Sequence, residues 1–234
     1  MTGTFTGAQL ECIVNEAAIY AMNNGKAVTI DAVQTVIDRM VFKDVEDMSK
    51  LDRRRKQVAI HEAGHAVIAL TLNPENVNGI SMVPTGHSMG RVRMMREESE
   101  PFTVSECENE ITALLGGMAA EDIFMKNRSS GVTDDVNKAS HLIETLVTKL
   151  GSAGFGCLRL NNFHDGPVWE SDVKTQRIEG AETEIAERCY QRAVDILTEN
   201  RVLIEAIFER LLVQYSLTRD EILALRERYV NEAN

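Results

Sequence analysis

Apolar residues recur with a helical period over most of this chain. In the first segment one apolar stripe, which ends at Asn23-Asn24-Gly25, is formed by Leu10, Ile13, Val14, Ala17, Ala18 and Ala21. The same period predicts further helices over residues 31–40, 53–72, 103–125, 133–150, 172–199, 201–214 and 218–230. The pattern therefore predicts a mainly α protein.

Three of the predicted helices begin with the spacing of a capping box. A threonine is followed three residues later by Gln or Glu at Thr6, Thr103 and Thr218. Each threonine hydroxyl can accept a hydrogen bond from the first turn, while the Gln or Glu side chain reaches back to the threonine. We expect these helices to start at these residues, and Thr133 to cap the helix over 133–150.

Between residues 76 and 96 the apolar period changes to two. Ile80 and Met82 alternate with polar neighbours, and Val92 and Met94 do the same between arginines. The two runs are separated by Pro84-Thr85-Gly86-His87, and Pro and Gly are typical of turns. The segment therefore predicts a small β-hairpin.

Residues 43–57 are dense in charges of both signs and nearly free of apolar residues. We interpret them as a connector that leads into the helix over 53–72, which predicts a boundary near residue 45 between a small two-helix piece and a larger body. The helix that follows carries Ala63, Val67 and Leu70 among many apolar residues and is apolar on most sides. We therefore expect that helix to be central.

Composition narrows the class of protein. The 234 residues are 44% hydrophobic and 26% charged, as in a globular protein with an apolar core. The net charge of −11 argues against nucleic acid or an anionic membrane surface as the main partner. No apolar run approaches the roughly 18–20 residues of a membrane-spanning helix. The four cysteines form no C-x-x-C pair, which excludes a zinc ribbon and a thioredoxin motif.

The motif His61-Glu62-Ala63-Gly64-His65 is the strongest chemical signal, and it lies inside the predicted central helix. Residues i and i+4 share one face of a helix, so both imidazoles can converge on one Zn²⁺. Glu62 can then reach a water whose pKa the ion lowers. Two imidazoles and a carboxylate are also costly to bury in such an apolar helix unless something binds them. The motif therefore predicts a zinc site with metalloprotease chemistry.

A zinc site of this type needs a third protein ligand. The extended metzincin pattern requires a glycine at position 68 and a histidine at position 71, but this chain has Ile68 and Thr71. The remaining candidates are Glu121, Asp134, Asp135 and His141. First-turn acids such as the Asp pair usually complement the helix dipole. The residues alone leave the choice between Glu121 and the Asp pair open.

Three segments that surround these candidates carry a family resemblance. A resemblance to the zinc peptidase domain of the FtsH family is carried by the runs HEAGHAVIA, LLGGMAAEDIF and SGVTDDVNKASHLIETLVTKLG. Members of this family are membrane-anchored, hexameric AAA+ proteases. The run TGTFTGAQLECIVNEAAIYAM is similar to the last helices of the family's AAA+ lid subdomain, and LTENRVLIEAIFERLL to its C-terminal helices. The resemblance implies a peptidase domain over residues 46–234, which is mainly α, of the zincin type, and contains a small β-hairpin. A two-helix remnant of the AAA+ lid subdomain is implied over residues 1–45.

The resemblance also implies roles for individual residues. In the family the two motif histidines and an Asp of a T-G-A-S-N-D segment bind zinc, and the motif Glu is the general base. Here this implies one Zn²⁺ per chain bound by His61, His65 and Asp135, with Glu62 as the base. Glu121 matches an acidic position that is expected to orient a ligand. Met118 stands where the family usually has Arg, and this departure touches no ligand.

The resemblance further implies polypeptide substrates. The strand that contains Gly90, Arg91, Val92 and Arg93 is the expected place where an unfolded substrate pairs through its main chain. An ordinary edge strand protected by its two arginines is the alternative interpretation.

These residues contain no ATP-binding motif, although the family is ATP-dependent. The chain has no phosphate-binding loop ending in Gly-Lys-Ser or Gly-Lys-Thr, so ATP is expected only in an AAA+ module of a longer protein. We expect a soluble chain that forms a homo-hexamer and binds no nucleic acid. In the full-length protein an N-terminal segment would attach it to the cytoplasmic face of a bacterial cell membrane or to an organelle membrane.

Two other functions compete with the peptidase. One is a hexameric assembly module with a dormant peptidase site, and the other is a zinc hydrolase of small molecules. An inactive relative would more often have lost Glu62 or a histidine, so the intact motif favours an active peptidase.

Overall fold

The computed structural model describes residues 7–23, 25, 27–30, 32–33, 36–37, 48–82, 91–94, 103–151 and 172–232. Within these ranges the elements are α1 (Gly7–Asn23), α2 (Met48–Leu72), β1 (Val77–Ser81), β2 (Arg91–Met94), α3 (Val104–Leu114), α4 (Gly116–Ala120), a π-helical turn (Glu121–Met125), α5 (Val132–Thr148), α6 (Asp172–Glu199), α7 (Arg201–Gln214), β3 (Ser216–Thr218) and α8 (Arg219–Glu232). The predicted mainly α fold with a small β element is confirmed.

The chain divides into two compact units, and the division falls inside α2, after Ala63. The first unit comprises Met1–Ala63, Asn78–Arg93 and Val202–Asn234. The second comprises Gly64–Val77 and Met94–Arg201.

In the first unit three short strands form a sheet in the order β2-β1-β3. β1 and β3 are antiparallel, with Ile80 opposite Leu217 and Ser81 opposite Ser216. Gly79 has a φ of +152°, and a Cβ at this residue would lie 2.8 Å from the carbonyl oxygen of Leu217. Only glycine therefore fits at this point of β1.

In the second unit α3, α5 and α6 share one apolar core. Its buried members are Cys107, Ile111, Leu115, Ala139, Ile143, Leu146, Val147, Ala181, Ile185 and Cys189. Burial of one large aliphatic side chain contributes about 1.5–3 kcal/mol, so this cluster is a principal source of the unit's stability. It also holds α5 in place, and with it the two acids of the first turn of that helix.

The predicted central helix is confirmed. Between residues 59 and 70 α2 is buried on all sides, apart from the half-buried His65. Among the described residues no helix is long and apolar enough to cross a membrane.

The prediction that the charged run becomes helical only near residue 53 is wrong, because α2 already begins at Met48. Lys56 Nζ lies 2.7 Å from Asp52 Oδ2 one turn earlier, and such pairs support an exposed helix. The guanidinium of Arg55 donates to the carbonyl oxygen of Leu212 and lies over the ring of Tyr215. The charged run is therefore a helical segment whose charges make specific contacts.

Two of the predicted capping boxes are confirmed. The Thr103 N–H donates to Glu106 Oε2 at 2.7 Å, and the Thr218 N–H donates to Glu221 Oε2 at 2.8 Å. Thr6 lies outside the described residues. The prediction that Thr133 caps a helix is wrong, because α5 begins one residue earlier, with Gly131 at its N-cap.

The single helix predicted over 103–125 is divided into three pieces. α3 ends at Leu114, α4 follows after Leu115, and the π-helical turn Glu121–Met125 comes next. Lys126 ends the turn in the left-handed region, with a φ of 54°. π-helical turns of this kind are frequent at functional sites.

The remaining elements agree with the predictions in part. β1 and β2 are neighbours, as the hairpin requires, whereas residues 83–90 between them lie outside the described part of the chain. β3 was not predicted, because three residues are too short for a periodic pattern. Of the helix predicted over 31–40, residues 32, 33, 36 and 37 are helical and the others are outside the described ranges.

Candidate metal centre

The two histidines of the motif lie one turn apart on α2. Their spacing of four residues brings both side chains to one face of the helix. His61 is 7% exposed, and the side chain of His65 is 13% exposed. The apolar residues on every side of this helix exclude most of the solvent around both imidazoles.

A backbone carbonyl determines the tautomer of His65. His65 Nδ1 lies 2.7 Å from the carbonyl oxygen of Ala113, at the C-terminal end of α3. Because a carbonyl oxygen can only accept, Nδ1 must carry the proton, and the imidazole leaves Nε2 for another partner. Hydrogen bonds of this kind orient histidines that bind metals.

Asp135 is the partner that faces Nε2 of His65. It lies in the first turn of α5, and its Oδ2 is 3.3 Å from His65 Nε2. Its other oxygen, Oδ1, lies 3.9 Å from Lys138 Nζ. Two ligand atoms about 2.0–2.1 Å from one tetrahedral ion are about 3.3–3.4 Å apart, so this separation is the one that a shared zinc ion would require.

The three side chains meet at one point. One ligand atom from each of His61, His65 and Asp135 lies within 4.8 Å of the other two. Two imidazole nitrogens and one carboxylate oxygen are a typical ligand set for Zn²⁺ in a site that keeps a fourth position open. The residues present therefore fit a zinc ion.

Asp134 differs from Asp135 in its surroundings. Asp134 is exposed, whereas Asp135 is half-buried against His65. His141 is also mostly exposed, and its Nδ1 lies 3.7 Å from Glu144 on the same helix. Of the four candidates considered for a third ligand, Asp135 is the one that the structure brings to the two histidines.

Glu62 lies beside His61 in the same turn of α2. Only 2% of this residue is exposed. A carboxylate in such an enclosed position meets little competing solvent, which suits a group that exchanges protons with a bound reactant.

Glu121 lies in the π-helical turn, where it is fully buried. Its carboxylate accepts hydrogen bonds from the backbone N–H and the hydroxyl of Ser129, at 2.5 and 2.9 Å. Ser129 Oγ in turn accepts from the N–H of Gly131, the N-cap of α5. Glu121 therefore binds the loop that leads directly into the helix of Asp135.

The proposed substrate strand is described only in its backbone. Arg91, Val92 and Arg93 lie on β2, next to β1 in the sheet. Their side chains and Gly90 lie outside the described part of the chain.

Sequence reasoning missed the groups that hold these side chains in position. The carbonyl of Ala113 carries no residue-type signal, because any residue supplies a carbonyl. The hydroxyl of Ser129 was visible only as one serine among several in a loop. The close contact between α2 and α4 depends on the small residues Gly64 and Gly116, and these two glycines are the signal in the sequence that could have indicated it.

Comparison with known proteins defines the class of this fold and site. The family model for peptidase family M41 matches residues 48–225, and the chain belongs to this family. The predicted resemblance to FtsH-type zinc metalloproteases is confirmed by relatives that carry this name.

Three relatives illustrate the similarity. The ATP-dependent zinc metalloprotease FtsH of Halothermothrix orenii is 35% identical over 226 residues, which cover 90% of this chain and 36% of the relative. FtsH 2 of Thermoanaerobacter sp. is 33% identical over 97% of this chain and 44% of the relative. FtsH of Thermotoga maritima is 30% identical over 94% of this chain and 39% of the relative. The chain thus spans less than half the length of these relatives.

Proposed function

We propose that this chain is the zinc-dependent endopeptidase module of an ATP-dependent protease of the FtsH type. The observation that carries the proposal is the convergence of His61, His65 and Asp135 on one point, with Glu62 buried beside them. Membership of peptidase family M41 supports the same reaction class.

In this proposal His61, His65 and Asp135 hold one Zn²⁺ per chain. When bound, the ion would polarise the scissile carbonyl and lower the pKa of a water molecule. The Ala113 carbonyl engages Nδ1 of His65, so Nε2 is the nitrogen that would hold the ion. Asp135 is preferred over Asp134, since Asp134 is exposed and Asp135 faces His65.

Glu62 acts as the general base. Its carboxylate accepts a proton from the attacking water and can later return that proton to the leaving amine, so that peptide hydrolysis is balanced in protons. Its position immediately after His61 on a rigid, buried helix keeps the carboxylate close to the metal ligands.

Glu121 positions the third ligand. Its two hydrogen bonds to Ser129 hold the loop before α5, and Asp135 follows in the first turn of that helix. This arrangement supports the expected orienting role of Glu121, through the backbone that carries Asp135.

The substrates are unfolded or flexible polypeptides, including membrane proteins in the full-length enzyme. β2 lies at one end of the order β2-β1-β3 among the described strands, so its outer edge can pair with a peptide backbone through Gly90, Arg91, Val92 and Arg93. Pairing through the main chain holds a peptide without demanding a particular side-chain sequence.

In this proposal the peptidase module is part of a longer polypeptide that also contains an AAA+ module. Residues 1–45 would be the end of an AAA+ lid subdomain and 46–234 the peptidase domain. ATP would be bound by a separate AAA+ module, because these residues contain no phosphate-binding loop ending in Gly-Lys-Ser or Gly-Lys-Thr. A homo-hexamer attached through an N-terminal segment to the cytoplasmic face of a membrane is the assembly that we propose.

The test combines elemental analysis with a casein assay. The purified chain should contain one zinc ion and cleave casein, and Glu62→Gln should keep the zinc but lose cleavage, because the amide cannot take a proton. Undiminished cleavage by Glu62→Gln would exclude the role of Glu62. A wild-type chain that holds zinc, assembles into rings and cleaves no flexible substrate would instead be the dormant assembly module.

A further inference from the structure

Asp122 is the immediate neighbour of Glu121, and it also binds the loop before α5. Its two carboxylate oxygens accept from the guanidinium of Arg128: Nε donates to Oδ1 at 2.8 Å, and Nη2 donates to Oδ2 at 2.6 Å. Such a paired contact defines the orientation of both groups as well as their separation. The hydrogen bond from Arg128 is the main cause that holds the pKa of Asp122 below its ordinary value.

Tyr190 connects this pair to the core of the second unit. Its hydroxyl donates to Asp122 Oδ2 at 2.5 Å, and the guanidinium of Arg128 lies 5.9 Å from the centre of its ring. Tyr190 lies on α6 next to the buried Cys189 and packs against the apolar core cluster. The contact therefore ties an exposed loop to a rigid helix.

Two neighbouring acids thus hold two neighbouring loop residues. Glu121 binds Ser129, and Asp122 binds Arg128. The loop is short, since it runs from Lys126, which has a left-handed backbone, to Gly131 at the start of α5. A displacement of this loop would therefore be passed directly to the first turn of α5, where Asp135 lies.

We infer that Asp122, Arg128 and Tyr190 are positioning residues of the metal centre, which hold the loop so that the Asp135 carboxylate stays opposite His65 and thereby set the affinity for zinc. This inference rests on the proposed function, because it takes Asp135 as a zinc ligand. None of the three residues belongs to the group of His61, His65 and Asp135.

A second Arg–carboxylate pair of the same unit provides a matched control. Arg188 Nη2 lies 2.6 Å from Glu108 Oε1, the same distance as in the pair of Arg128 and Asp122. The exposed side-chain fractions also match, at 50% and 26% against 52% and 27%. Arg188 and Glu108 join α6 to α3 and do not hold the loop.

The test measures zinc affinity by competition with a chromogenic chelator. Asp122→Asn removes the charge and half of the acceptor capacity, and Tyr190→Phe removes only the hydroxyl. We expect Asp122→Asn to weaken zinc binding about 10- to 100-fold, the usual effect of losing a group that supports a metal ligand. Tyr190→Phe should weaken it several-fold, in the same direction but less. Glu108→Gln should change it less than about threefold, as is usual for an exposed ion pair.

Cobalt substitution separates positioning from a general loss of stability. If Asp135 moves, the d–d absorption of bound Co²⁺ should change in intensity and wavelength in Asp122→Asn. A protein that is merely less stable would keep the wild-type spectrum in its folded fraction. Arg128→Lys retains the charge but not the paired geometry, so its zinc affinity should fall between wild type and Arg128→Ala.

Two outcomes would overturn the inference. One is equal zinc affinity in Asp122→Asn and Glu108→Gln, and the other is an unchanged cobalt spectrum in both Asp122→Asn and Tyr190→Phe. Failure of the underlying function has a different signature, because then His61→Ala and Asp135→Ala would retain zinc as well as wild type does.

Discussion

The backbone of Gly64 lies against that of Gly116, so closely that a Cβ on Gly64 would be 2.6 Å from the Gly116 carbonyl oxygen. The same Cβ would be 2.6 Å from the Cβ of Ala120. This contact between α2 and α4 lies within the metal-binding motif, one residue before His65. It allows the two helices to approach closely enough for Ala113, just before α4, to reach the imidazole.

We therefore predict that Gly64→Ala destabilises the protein and disturbs the centre. Overpacking of a tight contact costs about 1–3 kcal/mol, and a backbone carbonyl cannot move aside as a flexible side chain can. The free energy of unfolding from urea titration is the measurement. Gly180→Ala is the control, because nothing lies within 4 Å of a Cβ there and an exposed helical Gly→Ala change stabilises by about 0.5–1 kcal/mol. Equal effects of the two substitutions would contradict the prediction.

A second prediction ranks three acids by their effect on zinc content. Asp135→Ala should weaken zinc binding more than about 100-fold, because it removes a ligand, whereas Glu121→Gln should weaken it about 10- to 100-fold by loosening Ser129. Asp134→Ala should have almost no effect, because its side chain is exposed. Competition titrations on the three purified variants give the order. A larger loss in Asp134→Ala than in Asp135→Ala would move the ligand assignment to Asp134.

Zinc should also stabilise the fold. A ligand that binds only the folded state adds about 2.7 kcal/mol to the free energy of unfolding when its concentration is 100 times its Kd. Removal of zinc with a chelator should therefore lower the Tm of wild type, and added zinc should restore it. In Asp135→Ala the same treatment should leave the Tm nearly unchanged, because little zinc is bound at the start.

The fourth prediction concerns pH and two glutamates with opposite pKa shifts. The backbone N–H of Thr218 is the main cause that lowers the pKa of Glu221, whereas burial, and then Glu144 and Glu179, raise the pKa of Glu182. The ionised form of Glu221 is thus stabilising: its contribution is present above the ordinary glutamate pKa and disappears as the pH falls through the lower folded value. The ionised form of Glu182 is destabilising, and acidification relieves it.

Urea titrations at neutral and acidic pH would check both signs. At pH 7 Glu221→Gln should be less stable than wild type by up to about 1 kcal/mol, the scale of a charge in the first turn of a helix. Glu182→Gln should be more stable than wild type at pH 7. The Glu182→Gln difference should shrink as the pH falls through the raised pKa of Glu182, whereas the Glu221→Gln difference should persist to lower pH, because the pKa of Glu221 lies below the ordinary glutamate value. A Glu182→Gln protein that is less stable at pH 7 would contradict the assigned sign.

Much of this fold could be predicted from local patterns. The buried side of α1, the buried α2 and the capping boxes at Thr103 and Thr218 depend on neighbours within a few residues, which the sequence displays directly. The stripe predicted on α1 was too wide, because Val14 is 62% exposed and Ala18 is exposed as well. The division of 103–125 into α3, α4 and a π-helical turn was missed, because the backbone there follows packing around Gly64. The start of α2 was missed because charged residues can form either an exposed helix or a connector.

The candidate centre was predictable in a different way for each of its members. His61 and His65 are four residues apart in one helix, so the helical period alone places both side chains on the same face. Asp135 comes from a distant segment, and only the family resemblance distinguished it from Asp134 and Glu121. The Ala113 carbonyl and the contacts of Asp122 with Tyr190 involve residues far apart in sequence, and no single-sequence pattern identifies them.

The pairing of β1 with β3 has a consequence for how the polypeptide is made. β1 emerges from the ribosome well before Ser216 and Leu217, its partners near the other end of the chain. Until those residues emerge, the β1 edge that they will cover displays free N–H and C=O groups to any neighbouring nascent strand. A product terminated just before Ser216 would keep that edge open permanently, and would aggregate even though every proposed metal ligand had already been synthesised.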